Sequence, residues 1–412
     1  MASRSLHHTL SSLPFLHQLE NPNPRSRSLS PRKTLNLSNA KESERGIEFE
    51  TGDSFFRRES AISRDLGVLA AALHRRSLSR GPRVLDAMCG CGVRALRYLS
   101  QAGAGFVWAN DAFDGDRGLI LSNLSGESRF SPDGERRWIV THLDANRVLA
   151  ESYLQKEFFD IVDVDSFGSD SSFLRSSMMA LKKGGLLYAT STDGYSSGGH
   201  RPHHSLASYG AYVRPMPYSN ELGLRLLIGG ALREASVLGF HISPLFSYYS
   251  YHGPVFRVMF KIDRGVLHVK NHYAMEGYLD QCPDSYHKIV SHSLVVSGPL
   301  WTGPLHNANY LTGMLKLAEE WGWAYTKQNG IDLQKLLNQM IDESNPLLPF
   351  GYIKLDEVAS RAKINSPPLA TMISALQKEG YAASSIVRCM QEGQEGPPAF
   401  LDLEMLQGQS QD

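Results

Sequence analysis

The run Asp165-Ser166-Phe167-Gly168 sets a carboxylate beside a backbone carbonyl and two residues before an aromatic ring. That combination suits chemistry on an amine attached to a flat heteroaromatic ring. The lone pair of such an amine is delocalised into the ring, so it becomes a nucleophile only when acceptors hold its N–H bonds. Asp165 and the Ser166 carbonyl are such acceptors, and Phe167 offers a face for stacking. An aromatic at such a place is more often core, so the tetrapeptide alone decides little. Upstream, Asp86 leads through Ala87-Met88-Cys89-Gly90-Cys91-Gly92 into a stretch carrying Arg94 and Arg97. Glycines at a strand-to-helix turn let backbone approach a ligand, and a helix N-terminus favours negative charge such as a carboxylate; a plain tight turn has the same composition. Asn110-Asp111 and Asp144-Ala145-Asn146 add polar groups at two further strand ends. The first acid is placed for ribose hydroxyls and the second segment for an adenine ring, although either acid would also serve as a helix cap, Asp144 above all.

Such groups act together only if one edge of a sheet gathers them. Between Pro82 and about Ile262, β-branched and aromatic runs alternate with amphipathic stretches, which predicts a parallel sheet with helices on both faces. The predicted strands are 83–87, 106–110, 138–143, 160–164 and 186–191, followed by a hairpin of 242–249 and 255–262 turning at His252-Gly253-Pro254. Five parallel strands closed by an antiparallel hairpin is the arrangement of class I methyltransferases, and ligands in such sheets bind along the carboxyl edge. After Asp263 the pattern turns helical, with a Gly/Pro break at 298–304. Stretches 355–362 and 369–379, separated by Ile364-Asn365-Ser366-Pro367-Pro368 and followed by Gly380, predict a helix-turn-helix. Such pairs serve as packing units as often as nucleic-acid contacts. The fold class predicted is α/β, a class I (Rossmann-like) methyltransferase domain with a C-terminal α+β domain containing that helix pair. The boundaries read as 1–45 leader or disordered, 46–263 catalytic, 264–388 C-terminal, and 389–412 a disordered Gln/Gly/Glu-rich tail.

Of 412 residues, 42% are hydrophobic and 20% charged, which is globular composition with room for two domains. No apolar run approaches the roughly 18 residues that span a bilayer, so no membrane partner is expected. Cys89, Cys91, Cys282 and Cys389 make no disulfide framework in a chain this long, which suits a reducing compartment. Arg4, Arg25, Arg27, Arg32 and Lys33 face the single acid Glu20 among many serines and several prolines, the composition of an organellar transit peptide or of a basic disordered tail. The opening Met1-Ala2-Ser3 and the serine content favour plastid (chloroplast) over mitochondrion. Without residues 1–45 the chain holds 35 basic and 39 acidic side chains, so a polyanion would need a local patch. The segment Gly198-Gly199-His200-Arg201-Pro202-His203-His204, with Arg214 downstream, is one candidate; a solvated loop is the alternative.

Taken in order, these blocks resemble the tRNA (guanine-N2) dimethyltransferase family, which modifies guanine 26 of tRNA. The likeness runs from about Glu48 to Arg388. It is carried by Phe55-Phe56 with Ser63-Arg64-Asp65, by Asn110-Asp111, Asp144-Ala145-Asn146 and Asp165-Ser166-Phe167-Gly168, and by Ser191-Thr192-Asp193. It continues through Ser208-Tyr209-Gly210, Arg214 with Pro217-Tyr218, Glu221 with Leu224-Arg225, the block Ser297-Gly298-Pro299-Leu300-Trp301-Thr302-Gly303-Pro304-Leu305, and the Ser366-Pro367-Pro368 helix pair.

The resemblance implies S-adenosyl-L-methionine as cofactor, contacted by Arg64, Arg94, Asp111, Asp144 and Ala145. It implies that Asp165, with the Ser166 carbonyl, holds the target amine while Phe55 and Phe167 bracket the guanine. Transfer would be direct and in line, with mono- or dimethylated product, no metal and no covalent enzyme intermediate. The base would leave its stack to be reached, and the C-terminal domain would grip the tRNA body through shape and phosphate. A plant organelle-targeted member fits the leader. Two other readings share these motifs: an amino methyltransferase for another nucleotide or a protein amide, and a tRNA-binding protein that keeps the fold with impaired catalysis. Three departures stand out. Ser166 replaces the family's usual proline and loses the ring that fixes φ. Arg57-Arg58 replace Asn-Pro. Of the cysteine zinc site carried by some members only Cys282 remains, near His272 and His287, while Cys89 and Cys91 read as small loop residues. Nothing in the sequence sets an oligomeric state.

Overall fold

β-branched runs bounded by turn residues become strands in the computed structural model, which describes residues 41–250, 252–264, 273–280, 293–348, 350–385 and 400–404. A hairpin of β1 (Lys41–Glu44) and β2 (Ile47–Glu50) precedes β3 (Arg83–Asp86), β4 (Phe106–Asn110), β5 (Trp138–Thr141), β6 (Phe159–Asp165), β7 (Leu181–Ser191), β8 (Phe240–Ser250) and β9 (Val255–Arg264). Strands β3 to β9 form one seven-stranded sheet in the order β5-β4-β3-β6-β7-β9-β8. β3 pairs in parallel with β4 and β6, and β4 with β5, while β9 runs antiparallel to β7 and β8. This is the α/β sheet of class I type that the strand spacing predicts. The described residues fall into two compact units, one up to Asp163 and one from Val164.

In the first unit, Val84, Leu85, Val107, Trp108, Ile139 and Val162 bury both faces of the short strands. The helix Ala61–Arg75 is buried from Ala61 through Ala72, polar Ser63, Arg64 and Asp65 included. Fully buried aliphatic side chains contribute roughly 1.5–3 kcal/mol each, so this helix is a principal support of the unit. The helices Val93–Ser100 and Ala145–Leu154 follow β3 and β5. Residues 41–45 depart from the predicted leader. β1 pairs with β2 from Lys41 to Glu44, and the buried carboxylate of Glu44 answers two arginines of the helices behind it. Residues 1–40, with the basic leader, lie outside the described residues.

In the second unit, the helix Ser219–Val237 is buried along most of its length. Gly223 is required there, because a Cβ would come 2.2 Å from the Phe256 ring. Tyr209, Val213, Tyr218, Leu222, Leu226, Leu300 and Tyr352 share one apolar cluster. Beyond β9 strands and helices occur together, as in the predicted α+β domain. β10 (Tyr273–Asp280) and β11 (Ser293–Trp301) pair antiparallel, followed by helix Ala308–Glu320, the short antiparallel pair β12 (Lys327–Gln328) and β13 (Ile331–Asp332), and helix Leu333–Asp342. The predicted helix pair is present as Leu355–Ala362 and Leu369–Lys378. Three strands flank it, β14 (Ile353–Lys354), β15 (Ala382–Ser385) and β16 (Phe400–Glu404), in the order β14-β16-β15. β16 corrects the disordered tail predicted from residue 389. Phe400-Leu401-Asp402-Leu403-Glu404 has the apolar alternation of a strand, and backbone pairing with β15 and β14 satisfies it. His272, Cys282, His287 and Cys389 lie outside the described residues.

Candidate functional site

The glycine loop after β3 is built by left-handed backbone at Gly90 (φ 52°) and Gly92 (φ 84°), conformations that strain a side-chain-bearing residue. It is tied to the neighbouring strand ends: Ala87 N–H donates to the Asp163 carbonyl at 2.9 Å and Cys89 N–H to the Asn110 carbonyl at 2.8 Å. Asp111, half-buried at the end of β4, accepts from Gly90 N–H at 2.9 Å and from Phe113 N–H at 3.0 Å, one bond to each oxygen. Each oxygen keeps a lone pair for a hydroxyl donor. Asn110 is scaffold. Its amide donates to the Ala87 and Leu143 carbonyls and accepts from Thr141 Oγ1 and Leu143 N–H, pinning the ends of β3, β4 and β5 together. Asp144 is exposed and caps the helix Ala145–Leu154 through Arg147 N–H at 3.1 Å, with Ala145 buried behind it.

Behind the loop lies a buried charge network. Arg64 donates to both oxygens of Glu44 and, from Nη2, to the Arg57 carbonyl at 3.0 Å, with its guanidinium 4.8 Å from the Phe56 ring centre. Arg97 reaches Glu44 at 2.9 Å, Asp65 at 2.5 Å and Gln101 at 2.8 Å, while Arg45 holds the other oxygen of Asp65 at 2.8 Å. Burial raises the Glu44 carboxyl, but the charges and hydrogen bonds of Arg64 and Arg97 outweigh it, so Glu44 sits below its ordinary range. Arg94 pairs with buried Asp163 at 3.1 Å, which also accepts from Tyr98 Oη at 2.6 Å. Glu44, Asp65, Arg97 and Asp163 are therefore what holds Arg64 and Arg94 in place. Burial pushes the Cys91 thiol up to about 11 and Cys89 well above its usual value, so both stay protonated small loop side chains.

The aromatic pair splits. Phe56 turns inward, edge-on to Phe49 at 5.4 Å, and Phe55 turns outward with 59% of its surface exposed. Both unusual arginines have work of their own: Arg57 lies 5.2 Å over the Phe55 ring and Arg58 pairs with Glu42 at 2.5 Å.

In the second unit, β6 delivers Asp165, half-buried, followed by buried Ser166 and by Phe167, 70% exposed. Ser166 Oγ donates to the Thr190 carbonyl of β7 at 2.8 Å, a restraint that substitutes for the missing proline ring. The turn is locked by reciprocal bonds, Gly168 N–H to Thr192 Oγ1 at 2.6 Å and Thr192 N–H to the Gly168 carbonyl at 2.8 Å. Arg257 of β9 was not singled out in the sequence. It is buried, sits opposite Thr190 and Tyr248 in the ladder, and directs Nη2 to Asp165 Oδ1 at 3.5 Å and Nη1 to Ser250 Oγ at 3.2 Å. An arginine inside an apolar strand, flanked by Phe256 and Val258, was the available signal. Below the turn, buried Asp170 accepts from Tyr209 Oη at 3.0 Å, and Tyr209 Oη lies 3.0 Å from Ser191 Oγ, which donates to the Gly168 carbonyl at 3.1 Å. Burial pushes the Asp170 carboxyl up to about 7.

Other blocks of the sequence likeness are scaffold. Arg225 pairs with Glu221 at 2.6 Å and donates to the Trp301 and Gly303 carbonyls at 3.1 and 2.9 Å, and Arg214 N–H donates to Ser297 Oγ at 2.8 Å. Among the described residues no group of three or more His, Cys, Asp or Glu is placed to hold a metal ion. No helix among them is long and apolar enough to cross a membrane.

Residues 38–391 match the family described as N2,N2-dimethylguanosine tRNA methyltransferase. The chain is 29% identical over 357 residues to the tRNA (guanine(26)-N(2))-dimethyltransferase of Pyrococcus horikoshii, covering 80% of this chain and 86% of that protein. It is 26% identical over 333 residues to the tRNA (guanine(26)-N(2)/guanine(27)-N(2))-dimethyltransferase of Aquifex aeolicus, covering 76% and 80%. Among solved structures, Trm1 from Pyrococcus horikoshii in complex with S-adenosyl-L-methionine shares the fold with a TM-score of 0.69 at 24% identity, over 89% of this chain and 97% of that one.

Proposed function

The chain belongs to the N2,N2-dimethylguanosine tRNA methyltransferase family, and from that premise we propose that it methylates the exocyclic N2 of guanine 26 in tRNA, using S-adenosyl-L-methionine. The observation that carries this reading is the end of β6, where Asp165, the Ser166 carbonyl and an exposed Phe167 stand on a turn fixed by Thr190 and Thr192.

The residues present fit the cofactor. The left-handed glycine turn, the Asp111 carboxylate with a lone pair left on each oxygen, and Arg64 and Arg94 buried behind the loop suit a ligand with ribose hydroxyls and a carboxylate. Asp144 and Ala145 would flank its adenine. When bound, the cofactor supplies an electrophilic methyl group. Asp165 accepts one N2–H and the Ser166 carbonyl the other, which withdraws the nitrogen lone pair from the ring and turns it outward. The proton released from N2 leaves toward Asp165. The Arg257 guanidinium lies beside that carboxylate and orients it, and exposed Phe167 gives the flat base a face to stack on. A monomethylated amine still carries one N–H that either acceptor can hold, so the same groups serve a second transfer.

The test is nucleoside mass spectrometry of unmodified tRNA transcripts incubated with the full chain and labelled S-adenosyl-L-methionine. Labelled N2-methyl- or N2,N2-dimethylguanosine that vanishes when guanine 26 is replaced is the expected result. Binding of both cofactor and tRNA without label would sink the catalytic reading in favour of a tRNA-binding protein. We also assign the helix pair Leu355–Ala362 and Leu369–Lys378 to contact with the tRNA body, and the basic leader to plastid import. Import of a fluorescent fusion of residues 1–40 into plastids, and not mitochondria, checks the latter.

A further inference from the structure

Beyond β7 the chain makes two short helices, Gly194–Ser197 and Pro202–Tyr209, and the turn between them is rigid. Asp193 caps the first through Ser196 N–H at 3.0 Å and Ser196 Oγ at 2.6 Å. His200 N–H donates to the Tyr195 carbonyl at 3.1 Å, and Gly199 (φ 71°) packs so closely that a Cβ would come 2.3 Å from the Arg214 backbone. The second helix is anchored by Tyr209, bonded to Asp170 and Ser191, and by Ser205 Oγ, which accepts from Val213 N–H at 3.3 Å.

This rigid turn displays its polar aromatics outward. Tyr195 is 59% exposed, and the guanidinium of exposed Arg201 lies 4.4 Å over its ring centre. His200, His203 and His204 are exposed beside it. From Gly194 to Asn220 the sequence contains no Asp or Glu, while it carries Arg201, Arg214 and these three histidines, in a chain whose formal net charge is zero. The platform also has a fixed relation to the chemistry: Thr192, three residues before Tyr195, makes the reciprocal bonds that hold the Phe167-Gly168 turn.

We propose that the Tyr195–Arg201 platform is a tRNA contact that receives an unpaired nucleotide of the tRNA, stacking its base and holding its phosphate. The inference rests on the tRNA reading above. A guanidinium already stacked on an aromatic ring presents a flat cationic face at no further ordering cost, and unpaired bases bind such faces without regard to sequence.

The experiment uses the full chain and an unmodified tRNA transcript. Tyr195→Ala should weaken tRNA binding about tenfold, as loss of one base stack does. Arg201→Gln should weaken it less at low salt, and lower the slope of log affinity against log salt by about one phosphate contact. Tyr195→Phe should restore affinity. The KM for S-adenosyl-L-methionine and the melting temperature should match wild type in all three, since the side chains are exposed. Wild-type tRNA affinity and salt slope in both Tyr195→Ala and Arg201→Gln would overturn the platform while leaving the methyl-transfer reading intact. Weakened tRNA binding in a chain that labels no guanine would leave the platform standing and remove the catalytic reading.

Discussion

Asp165 ends its strand half in water, with the Arg257 guanidinium 3.5 Å from one oxygen, so its direction is set from inside the sheet. Asp165→Asn keeps the shape and removes the acceptor charge. Methyl transfer should fall by about 10²–10⁴ while S-adenosyl-L-methionine affinity stays within a few-fold, read by single-turnover kinetics and calorimetry. Arg257→Gln should lower kcat by roughly tenfold, the equivalent of one charge-assisted contact, with KM for the cofactor unmoved. Arg257→Lys should recover part of it, because the charge remains and the fork does not. A structural role alone would lower the melting temperature of both and give no such split. Ser166 is the finer case. Its hydroxyl bond to Thr190 supplies by side chain what a proline ring supplies by covalent closure. Ser166→Ala should cost about 1 kcal/mol of stability and several-fold in kcat, whereas Ser166→Pro should keep or raise kcat; a large fall in the proline variant would show that the target base is held differently here.

At the level of elements, the ends of β3, β4 and β5 are joined through one amide, Asn110, whose four hydrogen bonds span 2.8–3.1 Å. Asn110→Ala strands the Ala87 and Leu143 carbonyls in the interior, so unfolding in urea should show a loss of about 2–4 kcal/mol; cofactor affinity should fall too, because Asp111 and the glycine loop share that junction. By contrast Asp144→Ala removes a single exposed cap and should cost about 1 kcal/mol. These elements differ in how far the sequence revealed them. Residues 106–110 were predicted to the residue, because an apolar run ends at a polar pair. β7 was predicted to start at 186 and starts at Leu181, since Lys182-Lys183-Gly184-Gly185 has turn composition although the strand runs through it. Local pattern reports its own neighbourhood well. It is silent about partners supplied from afar: Glu44 lies 53 residues from Arg97, and Arg257 lies 92 from Asp165. Both were missed for that reason, and so was the strand Phe400–Glu404, which exists as a strand only through its pairing with β15 and β14.

For the molecule as a whole, two buried carboxyls give its stability opposite slopes against pH. Glu44 is held below its ordinary value by Arg64 and Arg97, so its contribution is present above about pH 4.5 and is lost as pH falls. Asp170 is the reverse. Burial raises it from 3.8 to about 7, so across that window the native state keeps a proton that the unfolded chain releases, and stability declines as pH rises through it. Asp170→Asn fixes the neutral form. Near pH 4 it should match wild type, and at pH 8 it should be more stable by about 4 kcal/mol, checked by urea unfolding at both values; equal stability at pH 8 would remove the assignment. An acid this unfavourable is informative about selection for position over stability. Asp170 holds Tyr209 Oη, which meets Ser191, which donates to the Gly168 carbonyl, so the charged network reaches the turn carrying Phe167. The amide in Asp170→Asn still accepts from Tyr209, but it cannot share a proton with it. Wild-type kcat should therefore change across pH 7 and that of the stabilised variant should not, which ties a global stability term to the turn that presents the target base.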